Sequence, residues 1–158
     1  MAMYYYDTTL RGLIYQLKGC FDIELAKSFL STYAFELKMM YFNRYIVYAP
    51  SYEEDNKIRG FNHVEEIFKV LKLKPLDILK KTEHHKQSDQ SLKQRDEIKK
   101  YLKVDYNGDL QGKHILLVDD IYTTGSTIRA CLNLLKELHP KSIKILVLCK
   151  TKDLDDRD

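Results

Sequence analysis

Two adjacent acids stand directly before a loop of hydroxyl-bearing residues and glycine. Asp119 and Asp120 precede Thr123, Thr124, Gly125, Ser126 and Thr127. The Thr and Ser hydroxyls can donate hydrogen bonds, and glycine removes the side chain that would keep an anion away from the backbone. The loop therefore has the composition of a phosphate-binding site.

Asp119 and Asp120 need another role in such a site, because a phosphate repels a carboxylate. A pair of carboxylates suits the vicinal hydroxyls of a ribose, or a Mg²⁺ ion that the ligand shares. A ribose 5-phosphate would satisfy both the acids and the loop. The alternative is structural: one acid caps a helix, and the Ser and Thr residues fill a turn.

The flanking residues predict a strand before this loop and a helix after it. The apolar run Ile115–Val118 is short and rich in leucine and β-branched residues, as in a strand buried on both faces. After the loop, apolar residues recur at helical spacing: Ile128, Cys131, Leu132, Leu135 and Leu138. Open α/β sheets bind ligands where such a strand leads into a helix, whose free N–H groups attract anions.

The sequence LLVDDIYTTGST resembles the phosphoribosyl pyrophosphate (PRPP) motif of type I phosphoribosyltransferases. The fingerprints GxxxxGK[ST] and GxGxxG of other nucleotide-binding folds are absent from the sequence. The resemblance implies an α/β fold with a central, mainly parallel sheet flanked by helices and a small N-terminal hood. It also implies that Asp119 and Asp120 hold the ribose hydroxyls, with Mg²⁺ bound through those hydroxyls or water, and that Thr123–Thr127 bind the 5-phosphate.

A second strand, loop and helix precede this motif. Tyr45–Ala49 reads as a strand that Pro50 ends, Ser51–Asn62 is polar and contains RGFN, and an amphipathic helix follows. In a parallel sheet both loops open on the same edge, so Arg59 could bind the anionic end of the ligand. The alternative for Arg59 is a solvated charge.

The order of these features resembles the ComF family of phosphoribosyltransferase-like proteins, which is linked to bacterial DNA uptake. The family pattern includes RGFNQ, whereas His63 follows Asn62 here, and LRGLIYQLKG near the N-terminus is also similar. Many ComF proteins begin with a cysteine-rich zinc-binding segment, which this sequence lacks. By resemblance, the loop after the first strand contacts pyrophosphate through Ala49, Pro50, Ser51 and Arg59.

The segment from Lys80 to Lys103 is polar and basic, with eight Lys or Arg against four Asp or Glu. A long polar segment inside a domain is typical of a lid or a disordered stretch. Type I enzymes have a mobile loop here that closes over PRPP, which makes Lys86, Gln87, Gln90 and Arg95 the candidate contacts. An exposed basic loop, or one that contacts a DNA backbone, is the alternative.

Other patterns bound the fold and the compartment. We expect a helix with Leu10, Leu13, Ile14 and Leu17 on one face, a second from Asp22 to about Met40, a turn at Asn107-Gly108 that suits a hairpin, and a strand over 142–148.

The 158 residues suit one domain, with a helical hood over 1–42 and a core over 43–152. The sequence shows no secretory signal and no membrane-spanning run, and the three cysteines form no CxxC pair. We therefore expect a cytoplasmic protein with free, buried thiols.

Two functions remain open from the sequence. The first is transfer of the phosphoribosyl group of PRPP to an unknown acceptor, with Mg²⁺ and release of pyrophosphate. The second is a non-catalytic PRPP-binding or nucleotide-binding accessory role in DNA uptake, through a competence protein or single-stranded DNA. The sequence names neither the acceptor nor the oligomeric state.

Overall fold

A computed structural model describes residues 1–81 and 101–151 of the chain. The strands are β1 (Ala2–Tyr5), β2 (Tyr45–Tyr48), β3 (Lys74–Pro75), β4 (Leu79–Lys81), β5 (Leu102–Val104), β6 (His114–Tyr122) and β7 (Ser142–Lys150). Five of them form a parallel sheet in the order β1-β7-β6-β2-β3, and β4 and β5 form a separate antiparallel pair. The predicted α/β fold with a mainly parallel sheet is confirmed.

Helices cover both faces of the sheet. They are α1 (Thr8–Gly19), α2 (Ile23–Leu30), α3 (Ala34–Tyr41), α4 (Glu53–Arg59), α5 (His63–Phe68) and α6 (Ser126–Lys136). Leu116 and Val118 of β6 pack in one core with apolar residues of α1, α2, α3 and α5. Ile115 and Leu117 face the other core, which contains apolar residues of α6. The N-terminal helices therefore form a layer on the sheet.

The central strand β6 places the ligand loop. Residues Ile115 to Asp120 are all buried, as predicted for a strand covered on both faces. In parallel register, β6 pairs with β2 from Tyr45↔Ile115 to Tyr48↔Val118 and with β7 along its other edge. The carboxyl ends of β2 and β6 therefore lie side by side, as we expected for the two loops.

The first helix agrees with its prediction. Asp7 caps α1, its Oδ1 atom accepting a hydrogen bond from Leu10 N at 2.8 Å, and Leu10, Ile14 and Leu17 are buried. The strand β1 before it was not predicted. Its Tyr4 hydroxyl donates to Phe29 O at 2.7 Å, which attaches the strand to α2.

Several local predictions were wrong. The second helix is broken between α2 and α3 by a 3-10 turn over Ser31–Tyr33, and Met40 is 53% exposed instead of buried. Asn107-Gly108 does not lead a hairpin into β6, because β5 pairs with β4 while β6 pairs with β2 and β7. The Cys20 thiol is exposed, whereas Cys131 and Cys149 are buried. No helix in the described ranges is long and apolar enough to cross a membrane.

Candidate active site

The loop after β6 turns sharply at Gly125, which has a positive φ of 70° and is the N-cap residue that precedes α6. The loop needs glycine for this backbone conformation, and a β-carbon here would also meet the Tyr122 hydroxyl, so the Tyr122 side chain would have to shift. Thr124 Oγ1 lies 2.8 Å from Ser126 Oγ, and Arg129 Nη2 donates to Thr124 O at 2.6 Å. These contacts hold the loop closed on itself.

The loop and Asp119 line one small pocket. Its volume is about 200 Å³, and it is lined by Asp119, Ile121, Tyr122, Thr123, Thr124, Gly125, Ser126, Thr127 and Ile128. The backbone N–H groups in the first turn of α6 point toward this end of the helix, and Gly125 has no side chain that could cap them. A carboxyl group, four Ser and Thr side chains and a helix N-terminus therefore converge here.

The Asp119 carboxyl is buried and has a raised pKa. Burial is the largest cause, and the nearby charge of Asp120 adds to it. Asp119 Oδ1 accepts a hydrogen bond from the backbone N–H of Asp120 at 2.9 Å. A cation or hydrogen-bond donors in the pocket would favour the ionised form of Asp119.

Asp120 lies on the other face of β6 and faces α1 and α5. Its Oδ2 atom forms an ion pair with Lys18 Nζ and lies 3.3 Å from His63 Nε2. Burial alone would raise the pKa of Asp120, but the hydrogen bond from His63 and the charge of Lys18 outweigh burial and lower it. Asp120 is therefore a carboxylate with internal partners. The structure does not bring Asp119 and Asp120 together as one pair of ligands.

The RGFN segment is a turn between two helices. Gly60 ends α4 with a positive φ of 81°, and the Asn62 side chain caps α5 by accepting from Val64 N at 3.1 Å. Phe61 packs against the core that contains α1 and α5. The segment before it, predicted as a loop, is the short helix α4.

Arg59 has partners within the protein. Its Nη1 atom lies 2.9 Å from His63 Nδ1 and 3.2 Å from Asn56 Oδ1, and Nε donates to the backbone oxygen of Lys18 at 3.3 Å. A guanidinium can only donate, so His63 Nδ1 accepts and the ring proton lies on Nε2, toward Asp120. Burial lowers the pKa of His63, which agrees with a neutral ring.

Comparison with known proteins identifies the family. The model of the phosphoribosyl transferase domain matches residues 58–158. The competence protein ComFC of Streptococcus pneumoniae is 32% identical over 151 residues, which cover 94% of this chain and 67% of that protein. The chain belongs to the phosphoribosyltransferase family. Within it, the chain is ComFC-like.

Solved phosphoribosyltransferases share the fold. A hypoxanthine phosphoribosyltransferase from Trypanosoma cruzi is 14% identical, with a TM-score of 0.53 over 83% of this chain and 70% of that one. A hypoxanthine phosphoribosyltransferase from Staphylococcus aureus is 13% identical, with a TM-score of 0.52 over 83% of this chain and 66% of that one. The chain thus spans about two thirds of the length of such relatives, and at these identities the likeness shows the fold alone.

The loop after β2 lies beside the phosphoribosyltransferase motif. Ala49 is buried, and its N–H donates to Val118 O at 2.8 Å, which extends the pairing of β2 with β6. Pro50 lines a second pocket of about 430 Å³ with Tyr48, Asn62, Glu65, Pro75, Leu76, Asp77, Leu79 and Lys80. Ser51 is partly buried. Three of the four residues predicted to contact pyrophosphate, Ala49, Pro50 and Ser51, therefore lie at the same sheet edge as Asp119, while Arg59 bonds His63 and Asn56.

Lys86, Gln87, Gln90 and Arg95 lie outside the described residues. The two flanks of their segment, β4 and β5, pair antiparallel from Leu79↔Val104 to Lys81↔Leu102. Within residues 1–81 and 101–151, no group of three His, Cys, Asp or Glu side chains could hold a metal ion. Sequence reasoning missed the roles of Lys18 and His63, because no local pattern marks which residues distant in sequence will contact Asp120.

Proposed function

We propose that the protein binds PRPP with Mg²⁺ and transfers its phosphoribosyl group to an acceptor, releasing pyrophosphate. The observation that carries this proposal is the convergence of Asp119 and the loop Thr123–Thr127 on one pocket at the N-terminus of α6. A phosphate fits the hydroxyls and N–H groups of the loop. A ribose attached to that phosphate reaches toward the carboxyl group.

Each part of the site has a proposed task. The loop fixes the 5-phosphate, Asp119 orients the ribose through a hydroxyl, and Ala49, Pro50 and Ser51 contact the pyrophosphate. Arg59 supports this edge through His63, because its guanidinium faces His63 and Asn56. Lys86, Gln87, Gln90 and Arg95 are proposed to close over the ligand and exclude water.

The donor set is compatible with Mg²⁺. This ion takes oxygen ligands and is commonly held by one or two carboxylates together with substrate phosphates. Asp119 offers one carboxyl group beside the phosphate loop, whereas Asp120 is engaged by Lys18 and His63 on the other face of β6. A bound Mg²⁺ would stabilise the negative charge of the leaving pyrophosphate.

The proposed transfer breaks the bond between ribose C1 and the pyrophosphate oxygen, and the pyrophosphate leaves with the electron pair. The acceptor nucleophile forms the new bond at C1. The protein contributes positioning of the two reactants and fixed dipoles at the phosphates.

Calorimetry with PRPP and MgCl₂ tests the binding half of the proposal. We expect saturable 1:1 binding that weakens when EDTA removes Mg²⁺ and when the loop variant Thr127→Val is used. Release of pyrophosphate in the presence of nucleobases or amines tests the transfer half. A wild-type protein that binds neither PRPP nor ribose 5-phosphate would exclude the proposed site.

Similarity to a competence protein over nearly the whole chain favours a second candidate. In this alternative the pocket binds PRPP or a nucleotide without turnover, and the protein acts in DNA uptake through a protein partner or single-stranded DNA. Single-stranded DNA binding that weakens steeply with salt, without pyrophosphate release, would support it. Turnover without DNA binding would support the enzyme.

A further inference from the structure

The strongest unexplained feature is a polar network that joins the N-terminal helices to the motif strand. Lys18 lies in the last turn of α1, and its ammonium group forms an ion pair with Asp120 of β6. Arg59 of α4 donates to the backbone oxygen of the same Lys18, and Arg59 also bonds His63 of α5. His63 completes the network at Asp120.

This network differs from a surface ion pair. The Asp120 side chain is 9% exposed and that of His63 is 8% exposed, so both are largely removed from water. Removing one partner from a buried pair leaves the other charge uncompensated, which is costly, whereas an exposed pair contributes little. Lys18 is the cation of this network that contacts the Asp120 carboxylate directly.

Asp120 is linked to the Asp119 carboxyl by a hydrogen bond from its backbone N–H. Asp120 Oδ1 accepts from Ile121 N at 2.8 Å, and Asp120 N donates to Asp119 Oδ1 at 2.9 Å. A side chain held by Lys18 and His63 thus fixes the backbone at the point where the Asp119 carboxyl turns into the pocket.

We propose that Lys18 is a positioning residue for ligand binding, acting through Asp120 on the Asp119 carboxyl and thereby coupling the N-terminal helices to the PRPP pocket. This inference rests on the proposed function. It gives α1 a role in affinity although Lys18 does not line the pocket of Asp119. It also links Arg59 and His63 to the same site, because His63 contacts the Asp120 carboxylate while Arg59 bonds His63 and the backbone oxygen of Lys18.

The test compares Lys18→Met with Lys27→Met, each measured by calorimetry with PRPP and MgCl₂ on protein shown to be folded by circular dichroism. Lys27 of α2 is a matched control, because it also forms an ion pair, with Glu24, but is exposed. We expect Lys18→Met to weaken binding by about five- to tenfold, the size of a typical coupling between sites. Lys27→Met keeps the wild-type affinity, and Lys18→Arg restores most of the affinity lost in Lys18→Met.

A double variant separates positioning from folding. Lys18→Met combined with Asp120→Asn leaves no unpaired charge at this site, so we expect the double variant to fold even where the single variant does not. We expect its affinity loss to be smaller than the product of the two single losses, because both substitutions break one contact. Multiplicative losses, or an unchanged affinity in Lys18→Met, overturn the inference while wild-type binding upholds the proposed function. Failure of the wild-type protein to bind PRPP overturns both.

Discussion

Asp119 and Asp120 are consecutive residues of β6, yet their carboxyl groups lie on opposite faces of the sheet. The alternation of side chains along a strand requires this arrangement. Asp119 shares a pocket with the hydroxyl loop, while Asp120 pairs with Lys18 and contacts His63. The two acids of the motif therefore have different electrostatic surroundings and, we infer, different tasks.

Asparagine substitutions should separate those tasks. We expect Asp119→Asn to weaken PRPP binding by about tenfold or more, since a hydrogen bond to a charged group is lost, with little loss of stability. Asp120→Asn should lower the free energy of unfolding by about 1–3 kcal/mol, because Lys18 and His63 lose a charged partner. Calorimetry and urea unfolding measure the two effects. The opposite pattern would contradict the assignment.

Gly125→Ala tests the loop geometry. We expect a loss of about 1–3 kcal/mol in the free energy of unfolding, because alanine is strained at a φ of 70° and its β-carbon meets the Tyr122 hydroxyl. Phosphate affinity should fall as the loop shifts. Gly12→Ala is the control: this glycine lies in α1 with nothing near a β-carbon, so the substitution should stabilise the protein by about 0.5–1 kcal/mol. Equal effects at both glycines would exclude a special role for Gly125.

The motif strand, its loop and α6 could be predicted from sequence because their signals are local. A β-branched and leucine run, two acids, a glycine turn and a helical apolar repeat follow one another along the chain. Each signal reports on the backbone within a few residues. The parallel sheet was predicted from two such units together with the resemblance to type I phosphoribosyltransferases.

Features set by tertiary contacts could not be predicted. The helix α4 has no buried residue, so no apolar repeat marks it, and it ends at the left-handed Gly60. The ion pair between Lys18 and Asp120 joins residues far apart in sequence. From the sequence alone, Lys18 cannot be distinguished from an exposed, solvated lysine. Its contact with Asp120 is seen only when the packing of α1 against the sheet is known. No local pattern predicts the contact of His63 with Asp120 either.

Asn62→Ala tests the cap within RGFN. The Asn62 side chain accepts hydrogen bonds from Val64 N and Glu65 N, so its loss should cost about 1 kcal/mol of the free energy of unfolding. Asn62→Asp should retain most of that stability. Asn133→Ala is the control, since Asn133 is exposed within α6 and alanine favours a helix. Urea unfolding of the three variants measures the difference, and an unaffected Asn62→Ala would exclude the cap.

Thiol labelling tests the cysteine environments. Burial raises the pKa of Cys131 and of Cys149 to about 12, with the charges of Asp119 and Asp120 adding to the effect, whereas Cys20 is exposed. Because the thiolate is the reactive form, an aromatic disulfide reagent at pH 8 should label one thiol rapidly in the native protein. All three should react in urea, and Cys20→Ser should remove the rapid phase. Rapid labelling of a second thiol in the folded protein would show that one buried site is open.

His63→Gln tests the protonation state of the network. Burial lowers the pKa of His63 below its ordinary value of 6.5, so the unfolded chain takes up this proton at a higher pH than the folded protein does. Stability from a neutral His63 is therefore fully present above about pH 7 and is lost as the pH falls toward 5, with a slope of at most about 1.4 kcal/mol per pH unit.

The variant should show a flatter profile over this range. Asp120 does not titrate there, because its pKa lies below the ordinary value of 3.8, and the other four histidines remain in both proteins. Glutamine can still donate a hydrogen bond to Asp120, so the difference isolates the titrating ring. Urea unfolding of both proteins at pH 5, 6, 7 and 8 measures the two slopes. If the free energy of unfolding has the same pH dependence in both proteins, His63 takes up no proton on unfolding in this range.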